Sequence, residues 1–383
     1  MLYFPYLKEE HYMKFKQGLA ILMCTLLLFG CTKKEETMTD EVSDIMEVSN
    51  MKIKVEDTTF YLYQPMNKVL DKWTPDPSLN ITKIQAKDQS SFNLFYKADS
   101  EKKIFVTAYN PESSEQSVEN CIILYISFDE FTKNINNYEL PQNFKLNESK
   151  EEDIFHTFGI PMSYQQTATR RTYLYHSSMD FTNTEQLKLE FDQGLLLGME
   201  LRGTPEGMKQ KTNTFLTEKV LKRALIPFSP TKDKSTELSK GILVIENKKI
   251  SANTSLKILL DDGWSCDWTS AHINNGITTV SLKKNDAHYT MDVSGEFQKI
   301  EDVTDKNIIQ TIDFDAHAHI QFPENLTSKS NAAEFLETYG APTRMIYTQQ
   351  NAGCGYMFDD GLEVHLTFDP ENHLTYTSIR YPK

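Results

Sequence analysis

The stretch Asp313-Phe314-Asp315-Ala316-His317-Ala318-His319 is where residue types and spacing come nearest to metal chemistry. On an extended strand alternate side chains share a face, so these carboxylates and imidazoles would line up as ligands of the kind zinc takes. Asp315, His317 and His319 are the candidate metal ligands, and His272, His288, His365 and His373 lie in the same half of the chain. The alternative is a solvated strand end. A second group of ionisable residues recurs at alternate positions: Lys188, Glu190, Glu200 and Arg202, and later Glu363, His365 and Arg380. A catalytic carboxylate pair needs a cleft whose apolar walls raise one pKa. Alternating charges on an open sheet instead read as a solvated or binding surface. The candidate binding face comprises Tyr173, Tyr175, Tyr356, Arg202, Arg380 and Trp268. No G-x-S-x-G elbow, H-E-x-x-H, phosphate-binding glycine loop or EF-hand loop occurs, and glycine is sparse at 15 residues. The sequence assigns no catalytic residue and no cofactor.

The cysteines carry a different chemistry. Lys14 and Lys16 precede an apolar run from Leu19 to Phe29, and the run ends at Leu28-Phe29-Gly30-Cys31. This segment resembles a bacterial lipoprotein signal, which implies a diacylglyceryl thioether on Cys31 and cleavage before it; residues 1–12 make a poor signal n-region and those from Met13 a good one, so translation is expected to start at Met13. About 11 apolar residues are too few to span a bilayer, the alternative being an uncleaved anchor. Cys121, Cys266 and Cys354 remain, scattered and odd in number. Cys121 opens an apolar strand and reads as a buried small hydrophobe, while Cys266 and Cys354 could pair in an oxidising compartment.

The formal charge is −14, and residues 1–30 carry three lysines against two glutamates, so the part beyond them is near −15. Such a chain repels phosphate backbones, which argues against nucleic acid as a partner. With 39% hydrophobic and 25% charged residues the remainder has the composition of globular domains.

What must position these groups is a stretch that occurs twice, Leu140 to Pro161 and Phe322 to Thr343. Aligned without a gap from Ser149 and Ser330, the copies pair Ile154 with Phe335, Phe158 with Tyr339, Gly159 with Gly340 and Pro161 with Pro342. Each reads as a short helix: a serine N-cap, completed by Glu152 as a capping box in the first copy only, an apolar stripe, a glycine stop and a proline. Before each copy the pattern suggests a helix, ending near Trp73 or Trp264, and three strands. After each come three more strands, Thr172–His176, Leu187–Phe191 and Leu195–Arg202, then Gly355–Phe358, Leu362–Phe368 and Leu374–Tyr381. Their period of two with one polar face predicts half-buried antiparallel sheet.

The expected fold is therefore α+β, two tandem repeats, each of two helix-plus-three-stranded antiparallel sheet units. The expected domains are a signal peptide with its lipobox (1–31), an acidic tether (32–50), repeat one (51–203), a partly helical linker (204–240) and repeat two (241–383). Tyr339-Gly340-Ala341-Pro342 with Phe368-Asp369, and Phe158-Gly159-Ile160-Pro161 with Phe191-Asp192, resemble units of the SmpA/BamE envelope lipoproteins, of the β-lactamase inhibitor protein and of Gram-positive tandem-repeat lipoproteins of unknown function. That resemblance implies a non-enzymatic, partner-binding envelope protein that uses an open sheet face. The expected function is a lipoprotein anchored by its lipid on the extracytoplasmic face of the cell membrane, binding an envelope protein or glycan. The alternative is a metal-dependent or cell-wall hydrolase with its site in repeat two.

Overall fold

The computed structural model describes residues 44–129, 135, 137–167, 169–178, 183–209, 213–217, 220, 234–315, 317–348 and 350–382. The signal segment, Cys31 and most of the acidic tether lie outside them. Residues 43–383 cluster as one unit.

In the first half a helical turn α1 (Asn67–Leu70) leads into β1 (Trp73–Pro75), β2 (Gln89–Tyr96), β3 (Asp99–Tyr109) and β4 (Ile122–Asp129). Helix α2 (Glu151–Phe158) follows, then β5 (Ser163–Gln166), β6 (Arg170–His176), β7 (Gln186–Asp192) and β8 (Leu195–Arg202). The second half repeats the order. It has α3 (Leu256–Asp261), β9 (Ser265–Asn274), β10 (Ile277–Lys284), β11 (Ala287–Ser294), β12 (Ile309–Asp315) and α4 (Ala332–Tyr339), then β13 (Arg344–Tyr347), β14 (Ala352–Met357), β15 (Glu363–Phe368) and β16 (Leu374–Arg380).

The halves are not two sets of separate three-stranded units, and the α+β expectation is corrected. The protein is mostly β, built on one antiparallel sheet of 16 strands. In space the first half runs β1-β2-β3-β4-β8-β7-β6-β5 and the second β9-β10-β11-β12-β16-β15-β14-β13. The inner edges β5 and β13 pair with Tyr164 opposite Met345. Gln166 N–H donates to Thr343 (2.6 Å) and Tyr347 N–H to Met162 (2.8 Å) at the two ends of this junction. Neither joining strand has a strong apolar alternation in sequence, and an unpaired edge of either half would leave its backbone groups without partners.

One face of the sheet carries the core. On β7 Leu187, Leu189 and Phe191 are buried while Lys188, Glu190 and Gln186 lie on the other face, and β15 alternates in the same way. Over the apolar side lie α2, through Ile154 and Phe158, and α4, through Phe335, Leu336 and Tyr339. Phe158 meets Tyr175 edge-on at 6.1 Å, and Tyr339 meets Tyr356 in the same way at 6.1 Å. Each such buried ring contributes about 1.5–3 kcal/mol of apolar transfer energy.

The helix ends differ from expectation. Residue 150 or 331, not the serine, is the N-cap, because the isolated bridges Lys150 to Leu195 and Asn331 to His373 hold that residue extended. The capping box is in the second copy, Asn331 with Glu334, and absent from the first. Ser149 and Ser330 instead accept from the loop N–H groups of Lys145 and Thr327. Gly159 (φ 85°, ψ −176°) and Gly340 (φ 77°, ψ −162°) end the helices in a backbone region open essentially to glycine alone. That turn aims each glycine carbonyl at a core tyrosine: Tyr175 Oη donates to Gly159 at 3.0 Å and Tyr356 Oη to Gly340 at 3.1 Å. Tyr175→Phe and Tyr356→Phe are expected to cost about 1–2 kcal/mol each, nearly equally, in urea unfolding. Unequal losses would mean the halves are not energetically equivalent there.

Small three-stranded sheets flank both halves, one formed by Ile53–Val55, Thr58–Phe60 and Tyr138–Glu139, the other by Leu243–Ile245, Lys248–Ile250 and Ile320–Gln321. Trp73 and Trp264 are core residues at 0% and 3% exposure. The end of the acidic tether is also packed: Met46 is buried, Val48 N–H donates to Asn213, and Phe215 N–H donates to Met46. Residues 213–217 of the expected linker are therefore extended and docked rather than helical.

Candidate binding face

The expected metal ligands do not converge. Strand β12 ends at Asp315, whose Oδ1 accepts from His317 N–H at 2.9 Å, so the chain turns at His317 and both histidines lie beyond the strand. The backbone of His319 is engaged with Glu246, whose carboxylate also accepts from Tyr289 Oη (2.8 Å) and Asn285 Nδ2 (2.7 Å). Burial would raise the Glu246 pKa, but the His319 N–H and the Tyr289 and Asn285 donors hold it below the usual carboxylate range. Among the described residues no group of three or more His, Cys, Asp or Glu is placed to hold a metal ion.

Cys266 and Cys354 are free thiols. They lie on β9 and β14, six strand spacings apart in the sheet, which is roughly 29 Å at ~4.8 Å per strand and far beyond disulfide reach. Cys121 is buried, as a small hydrophobe would be.

The aromatic part of the expected binding face is corrected. Tyr173, Tyr175 and Tyr356 are all 0% exposed, on the helix-covered side, and cannot touch a partner there. Their alternation was in phase with Leu187 and Val364, the core positions of neighbouring strands. Trp268 lies on the edge strand β9 against Phe297 (6.3 Å). Arg380 is exposed and 3.6 Å from Glu363, which His365 approaches at 3.3 Å. Lys188 and His365 are five strand spacings apart, roughly 24 Å, so the two polar groups cannot act on one bond.

Lys188, Glu190, Glu200 and Arg202 do share the open face of the first half. Lys188 Nζ bridges Glu190 (2.6 Å) and Glu200 (3.0 Å). Partial burial opposes its charge, but the two carboxylates more than offset this and its pKa is raised. Beside them are residues that the sequence reading missed. Phe105 on β3 is 38% exposed and meets Tyr125 of β4 edge-on at 5.9 Å. Two hollows adjoin this pair. One, about 290 Å³, is lined by Gln89, Ser91, Leu124 and Arg202, and the other, about 320 Å³, by Asn93, Lys103, Asp129 and Glu200. Burial, then the hydrogen bond to Glu200, pushes the Tyr125 phenol well above its ordinary pKa, so it faces the groove as a neutral hydroxyl. The sequence signal was present for Phe105, which in Ile104-Phe105-Val106 occupies the solvent-side position between two buried neighbours.

The duplication supplies an internal comparison. Phe105 is opposite Ser127 on the next strand, and its matched residue Thr290 is opposite Asp313. Tyr125 is opposite Arg202, and its matched residue Thr311 is opposite Arg380. Glu200 and Lys188 likewise correspond to Ser378 and His365. Among these matched positions the aromatic pair and the Lys188 ion bridge are confined to the first half.

Family models, curated proteins and solved structures were all compared with this chain, and none matches it.

Proposed function

We propose that this protein is a lipid-anchored lipoprotein of the cell envelope that binds an envelope protein or glycan through the open sheet face of its first half, without catalysing a reaction. The anchor would be a diacylglyceryl group on Cys31, placing the chain on the extracytoplasmic face of the membrane. The observation that carries the binding reading is the aromatic groove of Phe105 and Tyr125, whose matched residues in the second half are the threonines Thr290 and Thr311. Exposed aromatic rings among polar groups recur at recognition sites because they bury much area with little loss of side-chain entropy.

The test uses the full chain in intact cells with a photo-crosslinking residue at Lys103, on the groove, or at its matched position His288 in the second half. A discrete adduct from position 103 and none from 288 is the expected result. Equal adducts, or none from 103, would overturn the binding reading. Separately, labelled palmitate is expected to enter the wild type and not Cys31→Ala, which should leave the membrane fraction. Label persisting in that variant would remove the anchor.

A further inference from the structure

We infer that a hollow on the small sheet of the second half binds a sugar-sized molecule carrying one anionic group, a sugar acid or a sugar phosphate. It shares no lining residue with the groove of Phe105 and Tyr125 and does not depend on that reading.

The hollow, about 330 Å³, lies where Val244 and Asn247 meet the chain from His319 to Gln321 and the turn from Thr327 to Lys329. That volume suits a small ligand. The matched place in the first half holds a ring and an ion pair. There Lys54 is opposite Glu139 and Val55 opposite Tyr138, as Val244 is opposite Gln321 and Ile245 opposite Ile320. Lys54 Nζ is 2.6 Å from Glu139, the Lys145 ammonium is 4.9 Å from the centre of the Tyr138 ring, and Tyr138 Oη accepts from Leu146 N–H at 2.9 Å. In the second half Val244 and Gln321 stand for the ion pair, Thr327 for Lys145, and Ile320, with neither ring nor hydroxyl, for Tyr138. Ser328 N–H, at the place of Leu146, donates instead to the Ile320 carbonyl at 3.2 Å.

What lines the space is polar and unpaired. The side chains of Asn247, Gln321 and Ser328 and the His319 ring hydrogen-bond to no described residue, and Lys329 has no ion-pair partner among them. Lys249, opposite Val244 on the next strand, is likewise exposed and without one. No carboxylate is among the described residues lining the hollow. Glu246, beside Asn247, is 6% exposed, and its oxygens are taken up by Tyr289, Asn285 and the His319 N–H. An ammonium group without an internal counter-ion, in a chain of charge −14, favours an oxyanion. Amide and hydroxyl side chains both donate and accept, as sugar hydroxyls do. Val244 and Ile320 offer an apolar patch to the C–H face of the ring.

The experiment is calorimetric titration of the full chain with glucuronate, glucose 6-phosphate, neutral glucose and inorganic phosphate. At least one anionic sugar is expected to bind roughly tenfold more tightly than glucose and than phosphate, the worth of one charge-assisted hydrogen bond. Which of the two binds distinguishes carboxylate from phosphate. Lys329→Gln should lower that affinity roughly tenfold at unchanged melting temperature, since the side chain is exposed and unpaired. Val244→Lys with Gln321→Glu, which writes the Lys54–Glu139 pair into the second half, should abolish binding, whereas Arg202→Gln should leave it unchanged. Equal binding of glucose overturns the inference, and bare phosphate as tight as glucose 6-phosphate overturns it as an adventitious ion only. Affinity that survives either second-half variant, affinity lost in Arg202→Gln, or absence of binding by every probe also overturns it.

Discussion

Glu151→Ala is expected to lower the unfolding free energy by about 3 kcal/mol, because it removes the partner of a cation whose side chain is only 19% exposed. Glu151 opens α2 at 2% exposure. Its Oε2 is 2.5 Å from Arg171 Nη1, and its Oε1 accepts from Tyr173 Oη at 2.7 Å. Burial opposes the Arg171 charge and Glu151 restores it, leaving the guanidinium firmly protonated. The charge therefore cannot be shed when the carboxylate is removed. The matched residues of the second half are apolar: Ala332 for Glu151, Ala352 for Arg171 and Cys354 for Tyr173. There Phe335 in place of Ile154 and Tyr347 in place of Gln166 take up the space. The cluster is thus dispensable as a whole but not in part. Glu151→Leu with Arg171→Met and Tyr173→Phe, close to volume-neutral, should remain within about 1–2 kcal/mol of wild type. Urea unfolding of both variants decides: a single variant losing under 1 kcal/mol, or a triple variant worse than the single, would contradict this account.

The second large effect is a pH dependence located in His176, at the end of β6. The ring is 5% exposed, with Nδ1 3.2 Å from Thr184 Oγ1. Burial pushes the imidazole down from its ordinary 6.5 to about 4. The unfolded chain therefore binds a proton that the folded chain refuses between these values. Stability contributed by the neutral ring is complete above pH 6.5 and falls away as pH drops toward 4. A gap of this size corresponds to on the order of 3 kcal/mol. His176→Phe should flatten that part of the curve, and the difference between the two proteins isolates the imidazole from carboxylates that titrate lower. Parallel curves for wild type and variant between pH 7 and 4 would show that the ring is not the source.

Several particulars were legible in the sequence and for local reasons. The alternation of Leu187, Leu189 and Phe191 with Lys188 and Glu190 is a property of any half-buried strand, and β7 follows it. The glycines after Phe158 and Tyr339 stop both helices, since a positive φ is costly for other residues. The in-phase tyrosines Tyr173, Tyr175 and Tyr356 were misplaced because period two assigns residues to two faces without saying which face is covered. Phe105 and Tyr125 were hidden by the same ambiguity: an apolar run such as Cys121 to Phe128 does not distinguish a strand buried on both faces from one with an aromatic ring left outside.

By itself the sequence determined the duplication, the strand phases, the helix stops and the acidic character of the chain, all properties of neighbouring residues or of composition. Only the tertiary structure decided that Ser163–Gln166 and Arg344–Tyr347 join the halves into one sheet, and that Phe105 and Tyr125 border two hollows on its open face. Edge pairing is driven by backbone groups that every residue possesses, so side-chain pattern carries little record of it. A groove exists only where side chains from β2, β3, β4 and β8, far apart in sequence, are brought to adjoining strands.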